Sequence, residues 1–174
     1  ITVISENGVT ATGGMLSSQT SAQIGHGGRN STGHIGSSAD SHIVVRGGSG
    51  AVALSGGSAE NNYAKIGHGG DYVYYDAHGN IEVSGNGVDL LAGGYAGSRF
   101  ASAQIGHGGR ETKAASGTIA VDAGSGDVRM LAGTAGVGFN SAQIGHGGNH
   151  QGQGDIDGAI RVTGNHIDVV GGGV

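Results

Sequence analysis

The sequence predicts an all-β protein built as a parallel β-solenoid, and three observations carry that expectation. The string Ala-[Gln/Lys]-Ile-Gly-His-Gly-Gly occurs four times, beginning at Ala22, Ala64, Ala103 and Ala142, which lie 42, 39 and 39 residues apart. Between these strings apolar and polar residues alternate with the period of a strand. Glycine supplies 41 of 174 residues and proline none, which excludes a collagen triple helix. A fixed period near 40 turns a glycine-rich composition from a sign of low complexity into that of a stacked array.

Each unit reads in the same order. The first strand is Ile-x-Val, as in Ile43/Val45, Ile81/Val83, Ile119/Val121 and Ile160/Val162. A corner of Gly, Asn, Asp and Ser follows, where a positive φ costs little. The second strand is an apolar-x-apolar step, as in Val88-Asp89-Leu90, closed by glycine. The third is the Ala-x-Ile of the recurrent string, as in Ala103-Gln104-Ile105. β-Branched residues dominate these steps, as strands prefer. No stretch of ten residues holds a helical period free of glycine.

Three short strands cannot bury an apolar face alone, so the units must stack. Ile falls on Ile and Val on Val at inner stations, whereas one outer station holds Val44, Glu82, Ala120 and Arg161. That contrast predicts coils about 4.8 Å apart, with a right-handed wind by the usual crossover preference. One coil of about 40 residues per repeat is favoured over two of about 20. The segments Gly28–Ile43, Gly70–Ile81, Gly109–Ile119 and Gly148–Ile160 differ in length, as protruding loops do. The expected organisation is one array with units at about 1–42, 43–80, 81–118 and 119–159, and a partial unit at 160–174. Neither end shows a polar capping unit, so the stretch reads as an excerpt of a longer solenoid.

Composition removes several functions. Lys and Arg number 8 against 13 Asp and Glu, so no basic nucleic-acid footprint is expected. No apolar run of about 18 residues is present to insert in a membrane as a helix. Without cysteine there is neither a disulfide nor a thiolate metal site. Gly124-Ser125-Gly126 opens no helix and forms no phosphate cradle, and the calcium-solenoid motif does not recur. No cofactor is therefore expected. Asn30-Ser31-Thr32 matches a glycosylation sequon, a pattern that arises often by chance. Threonine recurs at no one station, which argues against an ice-binding face.

The chemistry-bearing candidates are few. His26, His68, His107 and His146 share the inward parity of Ala and Ile in the recurrent string. One coil per repeat would stack them as a ladder at about 4.8 Å. Imidazole ligates zinc, copper or nickel, but a straight ladder does not converge four ligands on one point. A structural role is the favoured reading and a metal-binding ladder the alternative. Tyr72, Tyr74 and Tyr75 crowd the segment Asp71–Asp76, which either packs on its own coil or contacts a glycan or partner. A polysaccharide-active β-helix would need clustered acids. Glu82, Asp89 and Asp168 read as spread over different faces and coils, so no enzyme is expected. Gln104 reads as outward and tolerant of Lys, the residue at the same station in the second unit, Lys65.

The pattern G-x-I-x-V-x-x-G-x-x-V-x-L-x-A-G, carried by Gly117–Gly133 with one additional corner residue, resembles the repeats of filamentous haemagglutinin-like exoproteins. These are large bacterial surface adhesins exported by two-partner secretion. The resemblance implies a right-handed β-helix at the bacterial cell surface or in the extracellular space, with roles in adhesion, filaments or biofilm. It supplies no receptor-binding residue for this chain. Uncapped coils leave strand edges unpaired, so self-association, end to end or lateral, is expected, with a glycan or cell-surface receptor as a further partner.

Overall fold

The computed structural model describes residues 1–32, 41–93, 99–133, 138–148, 150–151 and 154–172. Alternation and glycine corners divide them into short strands, and no helix occurs among the described residues. The first coil holds β1 (Thr2–Ile4), β2 (Val9–Thr12) and β3 (Ala22–Ile24). The second holds β4 (Ile43–Arg46), β5 (Val52–Ser55), β6 (Ala64–Ile66) and β7 (Val73–His78). The third repeats this with β8 (Ile81–Ser84), β9 (Val88–Leu91), β10 (Ala103–Ile105) and β11 (Glu111–Ser116). The fourth contains β12 (Ile119–Asp122), β13 (Val128–Leu131), β14 (Ala142–Ile144), β15 (His150–Gln151) and β16 (Ile156–Asp157). Two strands of a further coil, β17 (Ile160–Thr163) and β18 (Ile167–Val170), follow.

Strands at the same station pair in parallel, which makes a β-solenoid of about four turns. The first sheet runs β1-β4-β8-β12-β17, the second β2-β5-β9-β13-β18 and the third β3-β6-β10-β14. Each repeat is one coil, because Ile43 lies opposite Ile81, Ile81 opposite Ile119, and Ile119 opposite Ile160. Inward members of the three sheets form a single core that includes Ile43, Val45, Val52, Leu54, Ile66 and Ile105. Full burial of each such side chain contributes about 1.5–3 kcal/mol.

The expectation of three strands and a protruding loop per unit is corrected by a fourth sheet. Two of the segments read as loops carry six-residue strands, β7 and β11, which pair with each other, and β11 pairs onward with β15 and β16. Val73, Tyr75 and Ala77 alternate inward along β7, which drives the pairing. In β11 the buried residues are Thr112 and Ala115, on opposite parity, because the register shifts between Thr112 and Ala114. Such a bulge hides the strand from a period-two reading. Residues 33–40, part of the first such segment, lie outside the described residues.

The recurrent glycines have a steric cause. A Cβ at Gly67 or Gly106 would collide with the carbonyl oxygen of Gly106 or Gly145 in the next coil.

Parity sets a test. Ile105 is fully buried, and Ile105→Asp should cost about 3–5 kcal/mol as an unpaired buried charge. Glu82 is exposed on the outer side of β8, and Glu82→Gln should stay within about 0.5 kcal/mol. Urea unfolding of both variants checks this, and equal losses would contradict the assigned faces.

Candidate functional site

The four recurrent histidines sit at the corner that follows the third sheet. Their rings stack between successive coils at centroid separations of 5.2, 4.9 and 5.0 Å, with planes within 6° of parallel. Register alone does not fix the rings; hydrogen bonds do. The backbone N–H of His26 donates to His68 Nδ1 at 3.1 Å, that of His68 to His107 Nδ1 at 3.0 Å, and that of His107 to His146 Nδ1 at 3.1 Å. An accepting Nδ1 assigns the proton to Nε2. The Nε2–H of His107 then donates to the Gly79 carbonyl at 2.8 Å, and that of His146 to Gly117 at 3.0 Å. The Ser41 carbonyl acts on His68 in the same sense, although Nε2 lies outside hydrogen-bond geometry there.

His68 and His107 are buried, His146 is half-buried and His26, in the first coil, is exposed. Burial is the main cause that pushes the His68 imidazole down to about 4 and His107 to about 3, and neighbouring imidazoles push the same way. His146 is lowered as well, again chiefly by burial. A metal at His107 would have to displace the amide on Nδ1 or strip the proton that Nε2 gives to Gly79. The arrangement suits a neutral structural ladder, and no group of three or more acidic or imidazole side chains poised for a metal occurs among the described residues.

A second site lies on the outer side of the third sheet, where Gln23, Lys65, Gln104 and Gln143 stand in register. The expectation that Gln104 faces solvent is corrected: Lys65 is 2% exposed and Gln104 7%. The cover comes from neighbouring coils. Gln104 Nε2 donates to the carbonyls of Gly145 at 2.9 Å and Gly147 at 2.8 Å, and Gln23 Nε2 to those of Gly67 and Gly69 at 2.9 and 2.8 Å. Each amide thus staples its coil to the glycine turn of the next. Lys65 breaks the series, and its Nζ donates to Gln104 Oε1 at 3.0 Å. With no carboxylate against it, burial pushes the Lys65 amine down to about 7.

Charged residues close one flank. Asp71 lies between Arg29 and Arg110 of the adjacent coils, each Nε 3.3 Å from a carboxylate oxygen. Burial raises the Asp71 carboxyl, and the two guanidiniums pull it back. The Arg110 guanidinium lies 4.0 Å from the Tyr72 ring centroid and 4.1 Å from that of Phe100, a cation–π contact on each side. Between these groups is a cavity of about 40 Å³ lined by Tyr63, Lys65, Asp71, Phe100, Gln104 and Arg110, among others. Tyr63 OH is buried there without a partner in hydrogen-bond geometry, whereas Arg110 Nε has the Asp71 ion pair.

The remaining candidates separate. Tyr72 is half-buried beneath Arg110, Tyr75 is buried and Tyr74 is 61% exposed. Glu82 lies on the first sheet, whereas Asp89 and Asp168 share a station on the second, two coils apart with Arg129 between them. That corrects their expected placement on different faces. The strand alternation singles out neither Lys65 nor Asp71 nor Arg110. Their signals were present: Lys65 is the single non-Gln at its station, and Arg29, Asp71 and Arg110 recur at the repeat spacing with alternating sign.

No protein-family model, curated protein or solved structure matches the chain.

The histidine ladder predicts a pH dependence. Above the ordinary imidazole pKa of about 6.5, folded and unfolded states are both neutral there. Below it the unfolded chain binds protons that the fold resists, so stability falls with pH. With folded values of about 4 and 3, His68 and His107 should each withdraw about 2 kcal/mol between roughly pH 6.5 and 5. Lys65 acts in a separate window, where stability declines as pH drops from about 10.5 to about 7. Urea melts at the two acidic values should show the loss, reduced in a His68→Gln/His107→Gln variant. An undiminished loss, or His68 and His107 imidazoles that titrate near 6.5 by NMR, would contradict the ladder.

Proposed function

We propose that the chain is a structural rod segment of a large secreted bacterial surface protein or extracellular filament. The observation that carries this reading is the unbroken parallel register of the first two sheets through every coil. Rods of this kind gain stiffness because each coil is fixed to its neighbours by backbone bonds, core and staples at once. Four coils rise only about 19 Å at the usual strand spacing. An extended rod therefore needs further coils stacked on the end ones.

The end faces support such stacking. Among the described residues β17 and β18 each pair on one side only, and Ile160, Ile167, Val169 and Val170 are between 47% and 68% exposed. At the other end Ile1 and Ile4 are exposed as well. Apolar residues beside unpaired strand edges favour coil-on-coil addition. The role is mechanical and adhesive rather than catalytic: Arg129 separates Asp89 from Asp168, and outward side chains such as Tyr74 are free to meet a glycan or cell-surface receptor. The Gly117–Gly133 pattern, similar to filamentous haemagglutinin-like repeats, supports secretion and surface location.

Sedimentation velocity with electron microscopy tests this. Association should rise with concentration and yield stacked rods, and Ile167→Lys with Val169→Lys should suppress it while the β circular-dichroism signal remains. A protein that stays monomeric at all concentrations, with or without the substitutions, would overturn end-to-end stacking.

A further inference from the structure

The cavity beside Lys65 holds an unusual set of groups. An ammonium carries three donors, yet among the described residues Lys65 Nζ meets one acceptor, Gln104 Oε1. Tyr63, itself 7% exposed, lines the same space with a hydroxyl that has no partner in hydrogen-bond geometry, and Arg110 lines it with a guanidinium paired to Asp71. Ser21 and the Asp71 backbone lie near the Tyr63 hydroxyl but outside bonding geometry. Arg29 and Arg110 place two cations against one buried carboxylate, Asp71, and Lys65 lines the same cavity without a carboxylate of its own. Unpaired buried donors are costly, and here they surround an excess of positive charge. A small anion with two oxygens would complement these groups.

We propose that Lys65 is a carbamate-forming site: its amine adds to carbon dioxide inside the cavity, and the Tyr63 hydroxyl and Arg110 guanidinium hold the oxygens of the product. In the step, the nitrogen lone pair forms an N–C bond to the carbon of carbon dioxide. One C=O π pair moves to oxygen, and the nitrogen loses a proton to solvent. No oxidant or further reactant is needed. The reaction requires the neutral amine, which burial makes available near neutral pH. About 40 Å³ admits roughly three water-sized groups at the 10–15 Å³ that each needs, so a triatomic molecule fits and a sugar does not. The product exchanges one cation for an anion, so two guanidiniums face two anions. It also supplies an acceptor to the orphaned Tyr63 hydroxyl. An imine from an aldehyde would fill the space without balancing the charge.

The chain contains two lysines, and Lys113, with 57% of its side chain exposed, is the internal control. The folded protein is equilibrated near neutral pH with isotopically labelled bicarbonate, trapped with triethyloxonium, digested and read by mass spectrometry. Label should appear on the Lys65 peptide and not on that of Lys113, and selectivity should vanish in urea. Tyr63→Phe should lower occupancy about fivefold, as loss of one hydrogen bond does. Lys65→Gln, which restores the residue of the other coils, should abolish the label and keep the β circular-dichroism signal. An unlabelled Lys65 in a folded chain, or equal label on both lysines, would overturn the proposal.

Discussion

Every feature of this molecule depends on one constraint: each coil places its residues directly over their counterparts one repeat away. Such in-register stacking favours apolar stations, where Ile over Ile or Val over Val buries both, but it penalises charge. Two like charges one coil apart would stand about 4.8 Å from each other. The charged stations respond with alternating sign. Arg29, Asp71 and Arg110 follow one another along one ladder, and Asp89, Arg129 and Asp168 along another. A recurrent histidine survives at the same spacing only as a neutral ring. The amide on Nδ1 and the carbonyl on Nε2 enforce that state.

The same constraint explains what could be read from the sequence. Repetition makes inner positions self-announcing, so three strands per unit, one coil per repeat and the stacked histidines were legible from Ala-x-Ile-Gly-His and Ile-x-Val alone. Features carried by one unit, or by contacts between units, were not. The fourth sheet escaped because Val73–His78 and Glu111–Ser116 share almost no residues and the bulge after Thr112 shifts parity. Burial of Lys65 and Gln104 escaped for another reason. An outward parity implies solvent only when nothing covers that face, and here amide staples, together with the Arg110, Tyr63 and Phe100 side chains, provide the cover.

Departures from a repeat are therefore the informative positions. A Gln station whose amides bond across coils from Gln23 and Gln104 is interrupted by one buried lysine, a locally unfavourable choice of the kind that marks a site with a role of its own. Its neighbours depart as well: Asp71 stands where flanking coils carry arginine, and Tyr63 where they carry serine. The substitutions coincide in space, around one cavity.

Register is the claim on which all of this rests, and the lack of cysteine allows it to be measured with paired spin labels. Glu82 and Ala120 are exposed and directly opposed on adjacent coils, whereas Val44 and Ala120 are two coils apart. Labels at Glu82→Cys and Ala120→Cys should sit about 4.8 Å apart at the backbone and give strong spin–spin broadening. The Val44→Cys and Ala120→Cys pair should give clearly less. Equal broadening for the two pairs would contradict one coil per repeat and, with it, the histidine ladder and the lysine cavity.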